Sequence, residues 1–146
     1  MRCIEVRGRW LDDRKAAFID AVHEAMVAAP RIPPRDRVSR IVEHEPENFV
    51  TPPNPGEKFT RIELTMFAGR SPEAGRTLYW TIVRNLKPFH VPPNDVRIVL
   101  MEVPMENPGI RGGRAAGEIA DLGFEVRVKA SALTMPTGRR RTSTRA

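Results

Sequence analysis

One pattern, written twice, limits what this chain can fold into. Gly8-Arg9 returns as Gly69-Arg70, and Phe18 to Val22 returns as Tyr79 to Val83, both 61 residues further on. Ile32-Pro33-Pro34-Arg35-Asp36 returns as Val91-Pro92-Pro93-Asn94-Asp95, 59 residues on. The order is kept and the intervening loop is shorter by two residues. Gly and Pro are common punctuation on their own, but their ordered recurrence together with a helical segment marks a duplicated supersecondary unit.

Each copy spells strand, helix, strand. Residues 2–7 alternate, with Ile4 and Val6 on one face, which predicts a strand. Asp12 or Asp13 is expected to cap the helix that follows. Phe18, Ala21, Val22, Ala25 and Met26 recur along one helical face, and Pro30 ends it. Residues 37–44 predict a second strand. After a proline-rich loop, Pro46 to Glu57, the pattern restarts. Ile62, Leu64 and Met66 alternate. Ser71 suits an N-cap, and Pro72 suits the first helical position. Leu78, Ile82 and Leu86 line the helix, and residues 96–103 form a central strand.

The fold class expected is α/β (α+β). A right-handed crossover makes the strands of each unit parallel and lays its helix on one sheet face. Two copies then join as a four-stranded mixed sheet with both helices on the same side. The other face is expected to be apolar and to be covered by further copies of the chain. Beyond Val103 a glycine-rich turn leads to alternating residues 122–128, expected to form a C-terminal β-hairpin or arm.

A length of 146 residues with 40% hydrophobic content suits one domain. It is placed at 1–130, with pseudo-repeats 1–45 and 58–104 and a basic disordered tail at 131–146. The net charge is +6, but Arg139, Arg140, Arg141 and Arg145 of that tail supply four of those charges. The body is near neutral, so nucleic acid is not the expected partner. No apolar run is long enough to span a membrane, and no apolar leader precedes the first strand. The lone Cys3 offers neither a disulfide nor metal-ligand spacing. A cytoplasmic protein without metal or cofactor is expected. Trp10, Tyr79 and Trp80 read as packing residues. The segment Gly109 to Arg114 lacks the Gly-Lys-Ser/Thr end of a phosphate loop. No serine sits in a nucleophile elbow.

The stretches IELTMFAGRSPEAGRTLYWTIV, VPPNDVRIVLMEVPMEN and GIRGG, with Ile32 to Arg37 in the first half, resemble the tautomerase superfamily. The similarity is to its double-length branch, related to malonate semialdehyde decarboxylase. It spans roughly residues 3–128. It implies a duplicated β-α-β fold assembled as a homotrimer. It also implies proton transfer on small α-keto or enol acids by an amino-terminal proline, with arginines holding the substrate carboxylate. This chain departs from that pattern. It begins Met1-Arg2-Cys3, Ala68 replaces one of the branch's paired arginines, and Pro108 stands where tryptophan is usual. The function implied is an isomerase or decarboxylase whose proline-dependent step is absent or altered. The alternative is a non-catalytic protein of this fold that binds a small anion or serves as an oligomeric scaffold.

The candidate residues follow. Met1 offers an α-amine that ordinarily titrates near neutrality. Asp36 matches the branch's acid, which orients water or substrate. A plain turn-forming role would explain both Asp36 and its counterpart Asp95. Arg70 stands between a strand and a helix start, a favourable place for a carboxylate. Arg111 lies in the glycine-rich turn, and Arg9 is the repeat partner of Arg70.

Overall fold

A computed structural model describes residues 1–120 and 122. Its main elements are β1 (Arg2–Arg7), α1 (Lys15–Ala28), β2 (Ser39–His44), β3 (Thr60–Phe67), α2 (Pro72–Asn85) and β4 (Val96–Val103). A two-residue hairpin, β5 (Gly109–Ile110) and β6 (Arg114–Ala115), follows. The four long strands make one sheet in the order β2-β1-β3-β4. β1 and β2 are parallel, as are β3 and β4, and the two units meet in an antiparallel pair, β1 with β3. The duplicated β-α-β architecture is therefore present. The alternating segment 122–128, apart from Leu122, and the arginine-rich tail lie outside the described residues.

The core follows from the strand period of two. Ile4, Val6, Ile62 and Leu64 are fully buried on the face that meets Phe18, Val22, Leu78 and Ile82 of the helices. Phe18 joins the copies, standing edge-on to Trp10 at 5.8 Å and to Phe89 at 4.9 Å between ring centroids. Gly8 and Gly69 both take positive φ, +93° and +115°. The recurring glycine thus marks the same sharp exit from the strand in each copy.

The helix starts differ. Ser71 caps α2 as expected, its Oγ accepting from the Ala74 amide at 3.2 Å, with Pro72 first in the helix. Neither Asp12 nor Asp13 caps α1. Asp12 has a left-handed φ of +51°, and residues Asp12–Arg14 form a 3-10 turn before Lys15 opens the helix. The second strand begins at Ser39, two residues later than the alternation suggested.

The sheet face away from the helices is not the apolar surface expected. Glu5 on β1 accepts from Arg61 at 2.9 Å and lies 3.2 Å from His44, while Arg61 also pairs with Glu63 at 3.0 Å. Arg40 Nε points at the Cys3 sulfur, 3.2 Å away. Apolar side chains, Val42 and Met101 among them, flank this charged strip rather than fill it.

The duplicated Pro-Pro-x-Asp turn is closed by the same backbone bond in both copies, although only Pro93–Asp95 tightens into a 3-10 turn. The Asp36 amide donates to Pro33 O and the Asp95 amide to Pro92 O, each at 2.9 Å. Their side chains diverge. The buried Asp95 carboxylate accepts from the amides of Gly56 at 2.6 Å and Lys58 at 3.2 Å. A Cβ on Gly56 would stand 3.0 Å from that carboxylate, so a larger residue there would press on it. Asp36 is exposed, and its carboxylate makes no such bond among the described residues. A structural side-chain role therefore applies to one copy. Asp95→Ala is expected to lower unfolding free energy by roughly 2–3 kcal/mol, since hydrogen bonds to a buried charge are lost. Asp36→Ala should cost under about 1 kcal/mol. Urea denaturation of both variants at one protein concentration checks the asymmetry.

Candidate active site

The start of β1 and the end of β3 lie side by side, and this places the site. Met1 and Thr65 exchange both backbone bonds: the Thr65 amide donates to Met1 O at 2.9 Å, and the Met1 α-amine donates to Thr65 O at 3.1 Å. Next to this pair opens a cavity of about 600 Å³. Its apolar wall includes Met26, Ile32, Phe67, Val103, Pro108 and Ile110. Among the described residues its charged groups are the Met1 amine, Arg2, Arg35, Arg70, Arg111 and one carboxylate, Asp36. Such a mixture of apolar wall and few convergent polar groups suits a small amphipathic ligand, and the excess of cations selects an anion.

Each charged group is held by its own element. Arg2 sits at an inward position of β1, in phase with Ile4 and Val6, and is only 1% exposed. Its Nη1 donates to the backbone oxygen of Asp36 at 2.6 Å and its Nε to the Met26 sulfur at 2.8 Å. Arg70 leaves the end of β3 and turns back. Its Nη1 donates to Phe67 O at 2.9 Å and its Nε to Pro30 O at 3.5 Å. Neither arginine has a carboxylate at ion-pair distance among the described residues. Burial lowers the pKa of both guanidinium groups; Asp36 opposes the shift at each, and Glu102 also opposes it at Arg70. Both remain charged at any working pH. Arg111 has a left-handed φ of +46° in the glycine-rich turn. His23, buried on α1, shares a hydrogen bond of 2.9 Å with Pro34 O and so ties down the loop that carries Asp36.

Four of the five candidate residues from the sequence, Met1, Asp36, Arg70 and Arg111, line this one cavity. Arg9 does not. Its side chain is 75% exposed and paired with Glu45 at 2.7 Å on the surface, because it follows the far end of β1, at the opposite end of the sheet from Met1. Arg2 and Arg35 are cavity residues that the sequence reading passed over. For Arg2 a signal existed: a charged residue in phase with the buried positions of a strand. A second depression, of about 730 Å³ and more open to solvent, follows α2 past Arg76, Trp80 and Lys87. Trp80 is 76% exposed there, so it is not the packing residue expected.

The profile of the family described as tautomerase enzyme matches residues 36–111, just over half of the sequence. The chain belongs to the tautomerase family. The matched segment contains Asp36, Arg70 and Arg111, and it begins after Met1 and Arg2. Among solved structures, this tautomerase chain is similar to an FG41 malonate semialdehyde decarboxylase inhibited by 3-bromopropiolate. That likeness has 26% identity, covers 83% of this chain and 98% of the other, and has a TM-score of 0.75. A second malonate semialdehyde decarboxylase, described as having decarboxylase and hydratase activities, shares 22% identity with coverage of 82% and 98% and a TM-score of 0.73. A fused 4-OT, described as a symmetric trimer, shares 19% identity with coverage of 80% and 95% and a TM-score of 0.71. The last two likenesses establish the fold. No curated protein sequence matches the chain. No helix among the described residues is long and apolar enough to cross a membrane.

The electrostatics of the tautomerase cavity bear most directly on the Met1 amine. Burial lowers its pKa from the ordinary value of 8.0, repulsion from Arg2 lowers it further, and Asp36 works in the opposite direction. Burial and a neighbouring cation both disfavour the ammonium form. The neutral, proton-accepting amine therefore dominates from a pH below that of a free terminus. The pH profile of α-amine acylation should have its midpoint below that of a Met-Arg peptide. Arg2→Gln should move the midpoint up, and Asp36→Asn should move it further down.

Proposed function

We propose that this tautomerase-family protein binds a small carboxylate in the cavity and acts on it as an isomerase or decarboxylase of α-keto or enol acids. The observation that carries this reading is the convergence on one partly apolar cavity of the Met1 amine, Asp36 and an Arg70 that has no ion pair among the described residues. Arg70 supplies the carboxylate anchor. Its two backbone acceptors orient the guanidinium without a direct ion pair among the described residues, so a bound carboxylate gains a charge-assisted, geometrically fixed partner. The small acid that inhibits one structural relative, 3-bromopropiolate, is a ligand of this class.

In a chain that starts at Met1, the proton carrier is the primary α-amine. As the neutral base it takes a proton from one position of the bound acid; as the resulting ammonium it returns that proton to another. A group poised near the working pH can move in both directions. Asp36 stabilises the ammonium form and faces the same cavity, where it orients water or substrate. The assembly we infer is a homotrimer, like that of the fused 4-OT relatives. Sedimentation measures it.

One observation favours a second reading, a non-catalytic anion-binding or scaffold protein. The amine is primary and already donates to Thr65 O, so part of its capacity is spent on holding the strand. Ultraviolet spectroscopy of phenylenolpyruvate ketonisation separates the two readings. Catalysis predicts acceleration over buffer, a loss of roughly tenfold to a hundredfold in kcat/KM for Arg70→Gln, and abolition when the α-amine is acylated. A rate equal to buffer at high protein concentration supports the scaffold.

A further inference from the structure

The groove along α2 has no part in the chemistry just described. Arg76, Trp80 and Arg84 recur every four residues and so share one face of the helix. Lys87 and Pro93 continue that wall past the helix end. Trp80 is exposed, and no cation of the described chain covers its ring. The cation–ring contacts there are Arg14 on Phe89, Lys58 on Trp10 and Arg97 on Phe59. Glu73, the one carboxylate lining the groove among the described residues, is taken by Arg76 at 3.1 Å. Arg84 and Lys87 have no ion pair among the described residues. The end of α2 accounts for only part of their charge. A helix C-terminus carries about half a negative charge, and two cations stand at this one. The first copy shows that the repeat does not require such a face. Lys15, Ile19 and His23 stand 61 residues before Arg76, Trp80 and Arg84. There Lys15 pairs with Glu43, Ile19 packs against the core, and His23 is buried against Pro34 O. The second copy turns an aromatic ring and unpaired cations outward instead.

We propose that this groove docks an extended acidic segment of a partner protein, with an apolar side chain on Trp80 and carboxylates on Arg84 and Lys87. α2 has 14 residues, about 21 Å at the helical rise, which is the reach of about six residues of extended peptide. The groove is more open to solvent than the cavity beside Met1. A small molecule would stay largely wet in it, whereas ligand pockets enclose most of their ligand. A peptide gains its contacts along the length of the helix instead. Charge complementarity sets the sign and the direction of the occupant. Its acids fall toward the end of α2, where the unpaired cations stand, because Arg76 is already paired at the other end. Trp and Arg are the side chains whose removal most often costs an interface its affinity. The groove and the cavity beside Met1 share no lining residue, so this inference does not depend on catalysis there.

Fluorescence anisotropy with the full chain tests it. The probes are labelled hexapeptides of glutamate in which one leucine scans every position, and their lysine-for-glutamate counterparts. The native protein should prefer the best acidic probe by at least about tenfold. Trp80→Ala should weaken that probe by roughly tenfold. Arg84→Glu combined with Lys87→Glu should turn the preference toward the lysine probes. No preference in the native protein overturns the proposal. So does a preference that survives in the folded double variant, since it would belong to other cations of the chain. Tighter, Trp80-dependent binding of a short single-stranded DNA overturns it in favour of a nucleic-acid surface. Self-association that is lost in Trp80→Ala, measured by sedimentation without peptide, overturns it in favour of a contact between copies. Should the double variant not fold, indole emission decides. The acidic probe should shift the emission of the native protein and leave Trp80→Phe unchanged, and the same response in both overturns the idea.

Discussion

The backbone exchange between Met1 and Thr65 is the contact on which the site depends. Two β-α-β units could pack side by side in several ways, but the antiparallel β1–β3 ladder brings the first strand's beginning to the third strand's end. Every functional group then follows by connectivity. Arg70 is near because β3 has just ended, Asp36 because β2 runs parallel to β1 and its entry loop lies at the same end of the sheet, and Arg111 because β4 leads out the same way. A slip of one residue would turn Arg2 to the outer face and Cys3 inward, and the cavity would lose its buried cation.

Duplication makes the two ends of the sheet comparable, and the comparison explains where the cavity is. At the far end Phe59 is buried ahead of β3, and Lys58 lies over the Trp10 ring at 5.0 Å while its Nζ donates to Phe89 O. Asp95 is engaged by the loop amides, and Arg9 has swung to Glu45. Polar groups that line a cavity at one end are satisfied by protein at the other. The same recurring motif thus serves as a structural clasp in one copy and presents a carboxylate to the cavity in the other.

Much of this was legible in the chain itself, and the parts that were not have physical reasons. The repeat predicted the sheet and both crossovers, because glycine exits and the Ser71-Pro72 cap act locally. Asp12 misled because its left-handed backbone and the 3-10 turn are set by how the chain leaves Gly8, not by capping preference. The charged outer strip was hidden because Glu5, Arg61 and Glu63 read singly as ordinary exposed positions; only the register makes them neighbours. Arg2 was passed over for the opposite reason. Next to a chain terminus a charge looks solvated, and burial at 1% requires knowing that α1 and the Asp36 loop close over it. Met1, Asp36, Arg70 and Arg111 were found through residue chemistry and family likeness together, while Arg9 followed from symmetry alone, which the surface pair with Glu45 breaks.

The unequal ends of the sheet have a consequence for how such a chain can change. In an assembly of identical single-copy units, any substitution at a pocket residue appears in every pocket and in every structural clasp simultaneously. Here a change at Lys58 or Asp95 bears on the structural end of the sheet, and a change at Arg2 on the cavity end. Fusion has therefore uncoupled robustness from selectivity, so that either can drift without dragging the other along.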